Sequence, residues 1–233
     1  MSFTGKKVVV TGGAGALGTA VVARLLALGA EVHIPTYSED EAERFAHKDN
    51  ASVYLVPQMD LTDEALVKRF YRGIGPLWAS IHIAGGFDMS PLLDTSADAF
   101  DAQINMNART CFLCSREAVR HMTSADDGGR IVNVAARPGV EPREGAGMVA
   151  YAASKAAVAA MTQAMGEELA PLGIWVNAVA PSILDTAANR AAMPDAYFDG
   201  WPKVEEVAET IVHLASPANG AARGAVVPVY GRV

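Results

Sequence analysis

Cysteine is nearly absent from the chain: Cys111 and Cys114 are its two thiols in 233 residues. A small scaffold held by several disulfides is therefore excluded. The two spell C-x-x-C, but Phe112-Leu113 and the helical pattern around them place the pair inside a helix. A redox pair uses a helix N-terminus to lower its thiol pKa, so these two read as small core hydrophobes. No other residues stand at a spacing that would complete a zinc site. Long apolar runs are also missing. The longest, Ile131–Ala136 and Val176–Ala180, have strand length, far short of the roughly 18–20 residues of a membrane span. Positive charge is in deficit, with 19 Lys and Arg against 26 Asp and Glu. With no basic stripe, nucleic acid is excluded as a main partner. The first residues lead straight into Val8-Val9-Val10 with no apolar leader, so a cytoplasmic location is the expectation.

What is present is apolar residue, 51% of the chain, in a regular alternation. Strand-like segments fall at Lys7–Thr11, Glu31–Pro35, Val53–Val56, Ala79–Ala84, Arg130–Ala135, Ile174–Ala180 and Ala225–Val229. Helix-like segments fall between them at Ala16–Leu28, Glu39–His47, Asp63–Arg72, Ser96–Met122, Ala150–Ala170 and Val204–Ala215. A turn is expected at Asp126-Asp127-Gly128-Gly129. Such alternation predicts one α/β domain over residues 1–233, a Rossmann-type, doubly wound parallel sheet of about seven strands with helices on both faces. Two Gly/Pro-rich stretches interrupt it, Arg137–Gly147 and Pro181–Pro202. Both follow strands, and ligands of open α/β sheets bind at strand carboxyl ends.

Between the first strand and first helix stands Thr11-Gly12-Gly13-Ala14-Gly15-Ala16-Leu17-Gly18, with G-x-G-x-x-G as Gly13, Gly15 and Gly18. Glycines here permit a tight turn and close backbone approach to a pyrophosphate resting on the helix N-terminus. A dinucleotide is the expected ligand. Its adenosine ribose would meet the end of the second strand, where Thr36-Tyr37-Ser38 precede Glu39 and Asp40. No carboxylate stands at the strand end, and no Arg awaits a 2′-phosphate, so NAD and NADP both stay open.

Tyr151 and Lys155 open the Ala-rich helix, four residues apart and on one face. A free phenol titrates near 10, about three pH units too high for acid–base work at neutrality. A neighbouring ammonium would favour the phenolate and lower that value.

Taken with the Gly-rich turn, this pair makes nearly the whole chain resemble the short-chain dehydrogenase/reductase family. Thr11-Gly12-x-x-x-Ala16-x-Gly18 is similar to its T-G-x-x-x-A/G-x-G turn. Asp60-Leu61 resembles the pair that contacts adenine, and Ala84-Gly85-Gly86 the end of its N-N-A-G strand. Asn107 matches the helix Asn that holds a water linked to the Lys, and Tyr151 and Lys155 match the catalytic pair. Val176-Asn177-Ala178-Val179-Ala180-Pro181 is similar to V-N-x-V-x-P-G, while Ile183 and Thr186 fall where the family contacts the nicotinamide. The resemblance implies NAD(P)(H) as cofactor, a small-molecule substrate and a homodimer or homotetramer. It also implies Tyr151 as proton donor, Lys155 as its activator and ribose ligand, and Asn107 as a relay.

The departures narrow the reading. N-N-A-G is His82-Ile83-Ala84-Gly85, and Ser182 follows Pro181 in place of Gly. The family strand I-V-N-x-S-S runs here Ile131-Val132-Asn133-Val134-Ala135-Ala136, so Ala136 replaces the catalytic Ser. Losing that hydrogen bond costs roughly 10²–10³ in rate on ordinary ketones. The dihydropteridine reductase branch does without the Ser. Its segments resemble Gly145-Ala146-Gly147-Met148 before Tyr151, and Leu184-Asp185-Thr186, Asn189-Arg190, Met193-Pro194-Asp195-Ala196, Phe198 and Trp201. The expected activity is hydride transfer to a small carbonyl or an activated conjugated substrate, with a quinonoid-dihydropterin-type reductase as one alternative. The other is a catalytically impaired NAD(P)-binding protein. Residues 181–203 are expected to form a substrate lid, with Met193, Tyr197, Phe198 and Trp201 either covering substrate or packing the lid down. Arg137 and Arg143 could meet a substrate anion or stay solvated.

Overall fold

The computed structural model describes residues 1–123 and 128–233. Its strands are β1 (Lys7–Thr11), β2 (Glu31–Pro35), β3 (Val53–Val56), β4 (Ala79–His82), β5 (Gly129–Val134), β6 (Ile174–Pro181) and β7 (Val226–Val229). All pair in parallel in the order β3-β2-β1-β4-β5-β6-β7. Between β1 and β4 the order reverses, which opens a crevice at the strand carboxyl ends. Parallel central strands are covered on both faces, and the buried runs Val8–Val10 and Ala178–Ala180 show it.

Helix α1 (Ala16–Ala27) buries Leu17, Val21, Val22 and Leu25 against one sheet face. The next helix, α2 (Glu39–Arg44), is short and capped by Ser38. Helix α3 (Glu64–Ile74) starts at Asp63, whose carboxylate accepts from Ala65 N at 2.7 Å, and buries Val67, Phe70, Tyr71 and Ile74 on the opposite face. Then come α4 (Ala97–Gln103), α5 (Thr110–Met122), the single turn α6 (Arg137–Val140), α7 (Val149–Glu168), α8 (Ala187–Ala192) and α9 (Val204–Ala215). Helices α1 and α9 pack together on one face, and α3, α5 and α7 cover the other.

The single helix expected over Ser96–Met122 is broken in register. A π-helical turn at Ile104–Arg109 separates α4 from α5. It inserts extra backbone without disturbing the apolar pattern on either side, so helical periodicity cannot reveal it. The strand expected to reach Ala84 ends at His82, because the Ile83 and Ala84 N–H groups both turn to Thr11 O at 3.1 Å. Of the expected turn at Asp126–Gly129, Gly128 has φ +69, while Asp126 and Asp127 lie outside the described residues. Both thiols are buried within α5, and burial pushes Cys111 up to about 12 and raises Cys114 too.

His82 anchors a buried polar chain across the α3/α5/α7 face. Asn133 Nδ2 donates to Thr162 Oγ1 at 2.9 Å, so its Oδ1 must accept from His82 Nδ1 at 2.8 Å. His82 Nε2 then accepts from Ser80 Oγ at 2.8 Å, and Tyr71 donates to Ser80 at 2.8 Å. The chain is complete with His82 neutral, and burial holds its pKa down to about 4 against an ordinary 6.5. Between those values the unfolded chain binds the extra proton. Stability from this group is therefore full above pH 6.5 and lost as pH falls towards 4, by about 3 kcal/mol in all. Denaturant titrations at pH 7.5 and 4.5 are expected to show the wild type losing about 2–3 kcal/mol more than His82→Asn. Equal losses in the two proteins would contradict this account.

Candidate active site

At the switch point the turn between β1 and α1 is close-packed. A Cβ on Gly12 (φ +67) would lie 2.7 Å from Ala84 N, one on Gly13 2.8 Å from Ile34 Cγ2, and one on Gly18 2.6 Å from Gly13 Cα. Those three glycines are demanded by the protein itself. Gly15 is different: its Cβ would meet only Gly12 O, at an ordinary 3.4 Å. Packing leaves the glycine there unexplained, whereas a phosphate resting on the uncapped N-terminus of α1 explains it. Ala16 and Leu17 follow in the first turn, with the Leu17 side chain buried beneath. The cradle thus fits a dinucleotide.

On the adenosine side, Thr36 is buried at the end of β2 and Tyr37 is exposed. Asp60 accepts from Thr62 N and Oγ1 at 2.9 and 2.7 Å, and Leu61 is core. Sequence reasoning missed Glu41. Its carboxylate, brought back by the first turn of α2, accepts from Tyr37 N at 2.7 Å.

The reacting end collects Tyr151, Lys155, Asn107, Gly85 and Gly86. Asn107 sits in the π turn and clamps Gly86, donating to its O at 3.0 Å and accepting from its N at 3.1 Å. Its amide also donates to Ser154 Oγ at 3.1 Å, and Ser154 donates to Tyr151 O at 2.8 Å. Gln103, buried one turn earlier, completes the amide's surroundings at 3.3 Å. Ser154 lies inside Y-x-x-S-K and Gln103 four residues before Asn107; those spacings were the signal available for both. Gly85 carries no side chain because a Cβ there would run into Asn107 Oδ1, with Lys155 Nζ at 3.5 Å.

The expected electrostatics of the pair are corrected. Lys155 Nζ donates to Val134 O at 2.9 Å and stands 6.0 Å from the Tyr151 ring centre. At that separation burial outweighs the ammonium. It pushes the Tyr151 phenol up to about 12 and pulls Lys155 down to about 8. Tyr151 is thus held as a neutral phenol throughout the neutral range, able to give a proton. Phe87 lies edge-on to its ring at 4.9 Å, while Met89 lies against Gly147 and Met106 against Gly86.

Ala136 is 5% exposed, caps α6 without a side-chain bond, and directly precedes Arg137. Arg137 is tied to Glu141 at 2.9 Å and lies over the Tyr230 ring at 4.9 Å, while Arg143 is exposed. Ser182 donates to Tyr230 O at 2.9 Å. Beyond Pro181, Ile183 is exposed, and Thr186 caps α8 through Asn189 N at 3.2 Å, so the structure does not join Thr186 to the Tyr151 cluster. Trp201 is buried and packs on Phe198 at 5.0 Å, so it serves packing, whereas Tyr197 is exposed. Among the described residues no His/Cys/Asp/Glu group could hold a metal, and no helix is long and apolar enough to cross a membrane.

The short chain dehydrogenase family model matches residues 6–196. The chain belongs to that family. As a short-chain dehydrogenase it is an oxidoreductase with NAD(P) as cofactor. It is 34% identical to the cyclic-di-GMP-binding biofilm dispersal mediator protein of Escherichia coli (strain K12), over 99% of this chain and 98% of that one. It is 29% identical to carbonyl reductase (NADPH) 2 of Sus scrofa, over 96% and 94%. The solved structure of ElxO with NADP bound superposes with a TM-score of 0.88 at 26% identity, covering 97% of each chain.

Proposed function

We propose that this short-chain dehydrogenase works as a reductase of activated carbonyl or conjugated C=N and C=C substrates. The observation that carries the reading is the pairing of a half-buried, neutral Tyr151 with Ala136 in place of the usual hydroxyl donor. The cofactor supplies the hydride. Gly12, Gly13, Gly15, Ala16, Leu17 and Gly18 would hold its pyrophosphate, and Thr36, Tyr37, Asp60 and Leu61 would flank its adenosine. Ala84, Gly85, Gly86, Pro181, Ile183 and Thr186 would flank its nicotinamide half, with Lys155 on the ribose. Tyr151 donates the proton, Lys155 restores it, and Asn107 holds the backbone at Gly86 against both. With Ala136 offering no hydrogen bond, polarisation of the acceptor falls to Tyr151 alone. A poorly electrophilic ketone then reacts slowly, and a quinonoid or enone acceptor needs less help. Phe87, Met89 and Tyr197 supply an apolar, partly aromatic rim for such a flat substrate, with residues 181–203 as its lid.

Steady-state assays across quinonoid dihydropterins, enones and simple ketones test the reading. Activated acceptors are expected to exceed ketones by about 10²-fold in kcat/KM. Ketones turning over as fast as the activated set would refute it, and no turnover by any acceptor would favour the impaired, cofactor-binding alternative. A cytoplasmic homodimer or homotetramer completes the proposal. A groove of about 390 Å³ between α5 and α7 is lined by Phe112, Met161, Met165 and Leu169 with Arg116 and Glu168, a self-complementary surface. Sedimentation of the purified 24.4 kDa chain tests that assembly.

A further inference from the structure

We propose that Glu41 makes this protein select NAD(H) over NADP(H). This rests on the cofactor reading above and goes further, because neither the family nor the Gly-rich turn decides between the two. The two nucleotides differ at one place, the adenosine 2′ position, which is a hydroxyl in one and a phosphate in the other. A hydroxyl can donate to a carboxylate; a phosphate carries only acceptors and up to two negative charges.

The turn that would seat the pyrophosphate packs directly on β2, with Gly13 against Ile34. An adenosine leaving Gly15 therefore crosses the end of β2. There the chain is fixed by its neighbour: Thr36 N donates to Val56 O and Thr36 O accepts from Met59 N, both at 2.9 Å. Ser38 then caps α2, accepting from Glu41 N at 3.2 Å, and this cap brings the Glu41 carboxylate back to Tyr37 N at 2.7 Å. A carboxylate thus stands just past the strand end although the strand-end residues themselves carry none. One of its oxygens takes the Tyr37 N–H, and a carboxylate has a second oxygen with which to accept from a ribose hydroxyl.

The charge carried by the segments around this turn is negative. Glu39 is also held in place, by Gln58 Nε2 at 2.9 Å, and Asp40 follows it in the first turn of α2. No Lys or Arg occurs in Thr11–Thr19, Thr36–Glu43 or Pro57–Asp63. Arg44 lies in the last turn of α2, where its Nε donates back to Asp40 O at 3.1 Å. A 2′-phosphate would face carboxylates with no cation to offset them, whereas a 2′-hydroxyl gains an acceptor. Even at high effective dielectric, a dianion about 5 Å from a carboxylate is disfavoured by roughly tenfold or more. The relatives whose names carry NADP or NADPH make the opposite preference the simple expectation, so the proposal separates this chain from them.

Isothermal titration of the whole protein with NADH and NADPH, without substrate, tests it. The wild type is expected to bind NADH at least about tenfold more tightly. Glu41→Gln, which keeps an acceptor for Tyr37 N, should tighten NADPH about tenfold while NADH stays within about threefold. Glu41→Arg should invert the preference. Equal or tighter NADPH binding by the wild type, an unchanged ratio in both variants, or no binding of either nucleotide would overturn the proposal. The substrate reading is judged separately, by turnover, and can fail while the binding ratio holds.

Discussion

Tyr151→Phe is expected to lower kcat by about 10³-fold or more, because it removes the proton donor from a site that has already lost its second hydroxyl. Phenylalanine keeps the ring, its edge-on contact with Phe87, and the Ser154 bond to the backbone carbonyl at 151. Cofactor affinity, read by titration, should stay within about threefold, and the thermal midpoint should hold, since the half-buried ring and its contact with Phe87 are kept. Lys155 cannot substitute. Its Nζ donates to Val134 O and stands 6.0 Å from the Tyr151 ring centre, away from the position of the phenol oxygen. Undiminished turnover in this variant would remove Tyr151 from the mechanism. A fall in kcat accompanied by loss of nucleotide binding would mean that the ring mattered for packing.

The second large effect is a gain. Ala136→Ser is expected to raise kcat/KM on simple ketones by roughly tenfold to a hundredfold, and to change the rate on quinonoid acceptors by less than about threefold. Ala136 has extended backbone (φ −162, ψ 159) at the end of β5, directly before α6, so a hydroxyl there needs no backbone change. It has one competing use, capping the first turn of α6, because α6 lacks a side-chain cap. The two outcomes separate cleanly. A hydroxyl that points at substrate narrows the gap between ketones and activated acceptors. A hydroxyl that only caps α6 raises the thermal midpoint and leaves the gap unchanged, which would sink the claim that Ala136 sets the substrate class.

Much of this molecule can be read along the chain. The run Gly12 to Gly18 announces its turn because the constraint is local: each glycine's neighbours lie within a few residues or on the adjacent strands. Tyr151 and Lys155 share a helix face by spacing alone, and the strand–helix alternation predicts a parallel sheet that the seven paired strands display. The π turn at Ile104–Arg109 is not legible in the same way. It exists because Asn107 clamps Gly86, 21 residues earlier, and the helical pattern on either side is unaffected. Nor could the sequence say why His82 is tolerated where the family has Asn. The answer lies in Asn133, 51 residues away on β5, in Ser80, two residues before His82 on the same strand, and in Tyr71 on α3.

The acid–base character of Tyr151 shows the same division. Side-chain spacing predicts a lowered phenol, since an ammonium stands one turn away. Burial reverses the sign, and burial is a property of everything packed around α7, not of the helix itself. Glu41 follows suit: four residues beyond Tyr37 it is an ordinary acidic helix residue, until the Ser38 cap folds its carboxylate onto the end of β2. The amino-acid sequence by itself determined the layered sheet, the Gly-rich turn and the placing of Tyr151 and Lys155 on one helix face, because those depend on periods and spacings within one element or between neighbours. Tertiary structure alone decided the protonation of that pair, the clamp behind it and the carboxylate held at the end of β2, because those depend on desolvation and on hydrogen bonds that close only in the folded chain.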